Sequence, residues 1–203
     1  MTTTVHRGND DDNLYWTHFD GTRWSPDTRF GSQKSSHGPT LAGFGGKLYC
    51  AYKGAGRNNN LWWCTFNGAG WSGDQVFGTH RTDSNPALAV YGNARYSVYT
   101  GVGTTARYYA QFNGSNGWHG DVRLPNHASQ EGPAPAVFNN HLYCVHRGGS
   151  DKSLWWTLCR SETHRCWSSR VSVLVDDAAQ YSGAEESVRG QVGRGRRVLL
   201  GEG

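Results

Sequence analysis

The chain repeats itself every 46 or 47 residues. Trp24, Trp71 and Trp118 stand 47 apart, Pro39, Pro86 and Pro133 stand 47 apart, and Gly8, Gly54, Gly101 and Gly148 follow at 46, 47 and 47. Three landmarks that keep one period describe a repeated structural unit, and a unit of this size buries its apolar side by stacking on its neighbours.

Residues 47–91 give the unit its form. Lys47-Leu-Tyr-Cys-Ala-Tyr52 is a short aromatic and aliphatic run, and the Gly- and Asn-rich stretch from Lys53 to Asn60 reads as a turn. Leu61-Trp-Trp-Cys-Thr-Phe66 is a second strand. Asn67-Gly68, a strong hairpin signal, leads to a third strand ending at Phe77, and Pro86-Ala-Leu-Ala-Val-Tyr91 is a fourth. Four short antiparallel strands per 46–47 residues, rich in aromatics and Gly turns, predict an all-β fold, a β-propeller. The same register places blades at about 2–44, 47–91, 95–138 and, in part, 141–157: three clear blades and one partial or degenerate blade.

Composition narrows the function. Of the 203 residues 13% are aromatic, enough for Trp and Tyr to be the main packing material. The net charge is +4, and Arg189, Arg194, Arg196 and Arg197 cluster near the end of the chain, so the repeats carry no nucleic-acid footprint. No stretch reaches the length of a membrane span, and the N-terminal residues lack the apolar core of a signal peptide; the compartment is left open. Five cysteines without Cys-x-x-Cys spacing form neither a zinc framework nor a disulfide scaffold. Cys50 and Cys64 flank one hairpin, but Thr157 stands where a partner for Cys144 is needed, so a repeated disulfide is excluded and reduced packing cysteines are expected.

Period-2 alternation divides the second strands into two faces. Tyr15, Thr17 and Phe19, with Trp62, Cys64 and Phe66 and with Tyr108, Ala110 and Phe112, put a small residue between two large ones, which suits a core face packed on another sheet. The opposite face, Leu14-Trp16-His18, Leu61-Trp63-Thr65 and Arg107-Tyr109-Gln111, ends in polar groups and is expected to reach solvent at one rim. After Thr157 the pattern fails. Trp167 comes three residues late, and residues 158–203 read as a degenerate blade remainder with a disordered Gly/Arg-rich tail, through either decay of a blade or a change of reading frame. The chain reads as a slice of a longer repeat protein. Propellers close rings of about 4 to 8 blades, so a homo-oligomer that completes the ring is expected of an open fan.

Little in the sequence announces catalysis. Asp27, Asp74 and Asp121 recur one per blade, which suits a loop hydrogen bond or a repeated binding contact better than one acid–base pair. Asp10-Asp11-Asp12 has no EF-hand spacing and reads as a solvated hairpin. Cys159, His164 and Cys166 are discounted as metal ligands, and no cofactor is expected. Aromatic surface beside hydrogen-bonding groups does recur. Sugar rings offer C–H faces that lie on flat rings and hydroxyls that accept from Arg or Lys. Candidate ligand-binding residues are therefore Arg7, Trp16, Trp24, Lys53, Trp63, Trp71, Tyr109, Trp118, Arg147 and Trp156.

The repeat also resembles a known family. Leu154-Trp-Trp-Thr157, Asp20-Gly-Thr-Arg-Trp-Ser25 and Gly38-Pro-Thr-Leu-Ala-Gly-Phe44 are similar to blades of β-propeller lectins, the fucose-binding and tachylectin-like group, over roughly residues 2–157. The turn at Asp20–Trp24 stands where sialidases and related propellers carry Ser-x-Asp-x-Gly-x-x-Trp, but Phe19, Phe66 and Phe112 occupy the carboxylate position. The resemblance implies a non-enzymatic lectin that binds glycans or glycoconjugates between blades. The alternatives are a sialidase-like glycoside hydrolase and a protein-interaction scaffold.

Overall fold

A computed structural model describes residues 2–160 except 113, 115, 116, 130 and 150–152, together with short strands at 171–173, 190–192 and 196–198. His164, Cys166 and most of the expected tail lie outside the described residues, as does the side chain of Cys159. The strands form four antiparallel sheets, each a meander in sequence order. The first holds β1 (Thr2–Arg7), β2 (Asn13–Phe19) and β3 (Thr28–Lys34); the second, β4 (Thr40–Phe44), β5 (Lys47–Lys53), β6 (Asn60–Phe66) and β7 (Gln75–Arg81). The third holds β8 (Ala87–Tyr91), β9 (Ala94–Thr100), β10 (Ala106–Phe112) and β11 (Trp118–Ala128). The fourth runs through β12 (Ala134–Phe138), β13 (His141–Arg147), β14 (Leu154–Arg160), β15 (Val171–Val173), β16 (Gly190–Val192) and β17 (Arg196–Val198).

The sheets divide the repeat one strand earlier than the sequence suggests. Pro86–Tyr91 was expected to finish the blade that starts at Lys47, but β8 pairs with β9, Tyr91 opposite Ala94, and opens the next sheet. The reason is the connection. Only Gly92 and Asn93 separate β8 from β9, with Gly92 at φ 57°, and a two-residue turn of this kind holds its strands side by side. The linker from β7 to β8 is longer and crosses from one sheet to the next. Each linker is anchored alike: the hydroxyls of Ser35, Thr82 and Ser129 donate to the carbonyls of His37, Ser84 and Glu131 at 2.7, 3.0 and 3.3 Å. Their own N–H groups donate to Asp12, Asn59 and Thr105 carbonyls in the preceding hairpin at 2.7, 2.9 and 2.8 Å. The short strands β4, β8 and β12 thereby come to stand beside one another as the inner edge of the sheets.

The core lies in the seams between sheets. Phe30 on β3 packs against Trp71 at 4.1 Å between centroids with the rings tilted by 34°, and one repeat later Phe77 stacks against Trp118 at the same 4.1 Å. Trp16 meets Phe66 at 5.2 Å, and Trp63 meets Phe112 at 5.1 Å. Each seam is thus a wedge from one sheet set between two rings of its neighbour, and burial of several aromatics per seam is what the stacking gains. This arrangement corrects the two-face reading. Leu14, Leu61 and Arg107 are fully buried and Trp63 nearly so, while the polar ends of that face, His18, Thr65 and Gln111, stay partly exposed at the rim; it is the face expected to be core that opens, with Tyr15, Trp62 and Tyr108 only half-buried. The cysteines agree with expectation: Cys50, Cys64 and Cys144 are free and buried, and burial pushes the Cys144 thiol up to about 12.

Candidate functional site

A pocket recurs beside the outer hairpin of successive sheets. In the first sheet it measures about 670 Å³ and is lined by His6, Arg7, Gly8, Asp11, Tyr15 and Asp27, among others. In the second it measures about 210 Å³, with Tyr52, Gly54, Asn58, Trp62 and Asp74 in the equivalent places and Lys34 arriving from the sheet before. The third sheet carries the same set as Tyr99, Gly101, Thr104, Tyr108 and Asp121.

Cross-strand pairing builds the set. His6 faces Tyr15, Tyr52 faces Trp62 and Tyr99 faces Tyr108 in the ladder, so two rings share one side of the sheet. The rings of His6 and Tyr15 stack at 5.8 Å and 17°, and those of Tyr99 and Tyr108 at 6.1 Å and 17°. An exposed carboxylate then meets the inner ring: His6 Nε2 lies 3.2 Å from Asp27 Oδ2, and the Tyr99 hydroxyl donates to Asp121 Oδ1. Burial, reinforced by Asp121, raises the Tyr99 pKa, and burial with Asp74 does the same for Tyr52, so both hydroxyls stay protonated as donors. The three recurrent aspartates therefore sit in separate repeats, Asp27 and Asp121 paired with their rings and Asp74 in one pocket with Tyr52.

The hairpin loop closes the pocket floor. Asp11 Oδ1, Asn58 Oδ1 and Thr104 Oγ1 accept from the backbone N–H of Asn13, Asn60 and Ala106 at 2.9, 3.1 and 3.1 Å. The side chain folds over the glycine before it, so a Cβ on Gly8 would lie 2.2 Å from Asp11 Oδ1 and one on Gly101 2.9 Å from Thr104 Cγ2. Asn13, which also donates to Asp11 Oδ2, is the main reason the Asp11 carboxyl is held below its usual range.

The ten residues singled out by sequence are distributed as follows. Arg7 lines the first pocket and pairs with Asp12 at 3.2 Å. Trp63 and Trp118 are buried in the second seam, Trp16 and Trp71 are half-buried in the first, and Tyr109 and Trp156 pack half-buried beside Tyr96 and Tyr143. Lys53 is buried, its Nζ donating to Ser36 Oγ at 2.9 Å and to the Gly54 and Gly56 carbonyls at 3.3 Å; burial lowers its pKa. Arg147 is exposed and lies 3.6 Å from Glu131. Trp24 is half exposed, against Phe19 at 5.4 Å. The turns before Trp24 and Trp71 are capped by their own first residues, Asp20 Oδ1 taking two backbone N–H groups at 2.8 and 2.9 Å and Asn67 Oδ1 two at 3.0 Å. Sequence reasoning left Tyr15, Trp62, Tyr108 and the inner rings His6, Tyr52 and Tyr99 out of the site. The constant 12-residue offsets Tyr15 to Asp27 and Trp62 to Asp74 were the available signal. Among the described residues no three His, Cys, Asp or Glu side chains are placed to hold a metal, and no helix is long and apolar enough to cross a membrane.

Meandering antiparallel sheets, stacked through aromatic seams at a 47-residue repeat with short strands on the inner edge, define a β-propeller fold. Solved structures carry the same fold. The Aleuria aurantia lectin in complex with alpha-methyl-L-fucoside matches with a TM-score of 0.62 at 16% identity, over 82% of this chain and 55% of that one. Another structure of that lectin, described as a six-bladed β-propeller with a novel fucose recognition mode, matches at 0.60. The catalytic domain of the Coprinopsis cinerea GH62 α-L-arabinofuranosidase matches at 0.53 and 14% identity, over 82% of this chain and 62% of that one. The chain spans about half the length of the lectin. No family model and no curated protein matches the sequence.

Proposed function

We propose that this protein is a carbohydrate-binding β-propeller that holds glycans without cleaving them, through the pocket repeated on successive sheets. The observation that carries this reading is the recurrence of one set of groups at one place in the repeat: a half-buried ring (Tyr15, Trp62, Tyr108), an exposed carboxylate (Asp27, Asp74, Asp121) and, in the first two pockets, a cation (Arg7, Lys34). The ring offers a flat surface to the C–H face of a pyranose, the carboxylate accepts from its hydroxyls, and the cation donates to its oxygens. Several weak sites at fixed spacing on one body gain avidity on a repetitive glycan surface. The lectin likeness supports the same reading at the level of fold.

The hydrolase likeness keeps a second reading in view, but a glycosidase of the usual kind needs two carboxyls across one bond. The second pocket offers Asp74 alone among its lining acids, and of the three acids lining the first, Asp10, Asp11 and Asp27, Asp11 is bonded to Asn13 and Asp27 pairs with His6. The test is a glycan array followed by calorimetry on the full chain. Trp62→Ala and Asp74→Asn each lower affinity for the bound sugar about tenfold or more, and the triple variant Tyr15→Ala, Trp62→Ala, Tyr108→Ala removes array binding. An array with no sugar above background sinks the proposal, and release of sugar from an aryl arabinofuranoside that Asp27→Asn abolishes would favour the hydrolase.

A further inference from the structure

We propose that the end of the second seam far from the hairpin pockets is a carboxylate-binding site, built on Arg95 and Lys47, and that it takes an acidic sugar, a hexuronate; the choice of a sugar rests on the glycan reading above. The seam gives Arg95 no structural reason to be charged, since Leu48 and Leu142 stand in the equivalent places of β5 and β13. The residue is nevertheless only 4% exposed, its guanidinium carbon 4.4 Å from the ring centre of Phe44, 4.8 Å from that of Tyr49 and 4.2 Å from that of Phe112. Those rings attract the faces of the cation but leave its in-plane N–H groups unmet. Among the described residues none of its nitrogens has a hydrogen-bond or ion-pair partner, and Nε is buried without one. Other buried cations of these two sheets are treated differently. Arg107 donates to Thr100 Oγ1 at 2.6 Å and to the Glu131 carbonyl, and Lys53 Nζ donates to the Ser36 hydroxyl and to two carbonyls. A buried cation left without an acceptor is costly, and an acceptor brought by a ligand removes that cost.

Register places a second cation beside the first. Lys47 faces Phe44 in the ladder and precedes Tyr49 by two residues, so all three share the side of the second sheet that meets Phe112. It is exposed and, among the described residues, in no ion pair. On the third sheet the neighbour of Arg95 Nη2 is Gly114, where a Cβ would come within 3.8 Å, so the lack of a side chain there leaves that edge uncovered. The acids of the two sheets are held elsewhere. Asp74 lines the second hairpin pocket, Asp83 accepts from Asn59 and from the Gly103 N–H, and Asp121 accepts from Tyr99, all at the opposite end of the strands. A carboxylate presents two coplanar oxygens, which match the edge of a guanidinium, and Lys47 adds its charge on a flexible stem. The half-buried rings of Phe44 and Tyr49 offer contact to the C–H face of the sugar that carries the group.

The experiment uses the full 203-residue chain and reads calorimetry at low salt with tetragalacturonate, its fully methyl-esterified form and tetra-aspartate as probes. Saturable binding of the acid is expected, with the neutral ester about tenfold weaker or more. Arg95→Leu, which installs the side chain of both flanking seams, lowers affinity for the acid about tenfold or more, and Lys47→Ala lowers it about threefold. A cooperative urea transition in Arg95→Leu shows that the seam is intact, so its loss of binding is read as loss of the guanidinium. No saturable binding of the acid, equal binding of acid and ester, indifference to Arg95→Leu, or tetra-aspartate binding as tightly as the uronate overturns the proposal. Neutral-sugar binding that depends on Trp62 is a separate readout at the other end of the strands, so failure of either leaves the other standing.

Discussion

One tryptophan position, seen in three sheets, takes three environments. Trp118 is 9% exposed, stacked on Phe77 and edge-on to Trp63 and Phe112; Trp71 is half-buried on Phe30; Trp24, in an equivalent turn, is 50% exposed with Phe19 as its only ring contact among the described residues. The local sequence is nearly constant, and the turns before Trp24 and Trp71 are capped alike. The difference comes from the neighbour: a preceding sheet supplies Phe77 or Phe30, and none is described beside Trp24. In stacked repeats burial is a property of the seam rather than of the repeat, and stability is close to a sum over neighbouring pairs.

That contrast can be broken by substitution. Trp118→Ala is expected to cost about 3–5 kcal/mol and Trp71→Ala about 2–4 kcal/mol in urea unfolding. Arg95 comes next. Its guanidinium lies 4.2–4.8 Å over Phe112, Phe44 and Tyr49, without a carboxylate in any ion pair among the described residues, while the equivalent positions in the flanking seams are Leu48 and Leu142. Arg95→Lys, which loses the planar stack, should cost about 1–2 kcal/mol, and Arg95→Leu should cost less than Arg95→Lys; a larger loss for leucine would refute the seam equivalence. His80 gives a pH arm. Burial holds its ring below the ordinary value of 6.5, so between that value and its lower native one the unfolded chain binds a proton that the native chain does not. Stability therefore falls as pH drops below about 6.5, and His80→Gln, the residue found at Gln33 one repeat earlier, flattens that slope. The smallest effect belongs to Trp24→Ala, within about 1 kcal/mol. Equal losses at Trp24 and Trp118 would mean that the turn, not the seam, sets the energy.

Much of the fold was legible because the period, the Gly turns and the hairpin signals are local. Asn67-Gly68 specifies its turn through its own side chain and a positive φ of 98° at Gly68, and no distant residue is needed. The frame of the sheets was less so. Pro86–Tyr91 reads as a strand in either sheet, and what decides is the brevity of Gly92-Asn93 against the longer linker before Pro86. The side of the sheet that holds the pocket could not be read from alternation, because Trp63 and Trp62 both have large neighbours and polarity ceases to mark solvent. The aspartates were noticed as a recurrence, yet their partners, His6 and Tyr99, lie on another strand 21 or 22 residues away and become visible only when the ladder is known.

The linkers give the molecule a natural unit of inheritance. Ser35, Thr82 and Ser129 each bind their own loop and reach back to the hairpin of the sheet they leave. A segment copied from one such hydroxyl to the next carries a wedge, a socket and the clasp that sets their angle. Duplication or deletion in whole multiples of that segment leaves every joint matched, so such changes should be tolerated by descent or by design, whereas a cut between Phe77 and Trp118 in any other phase strands a ring without its mate.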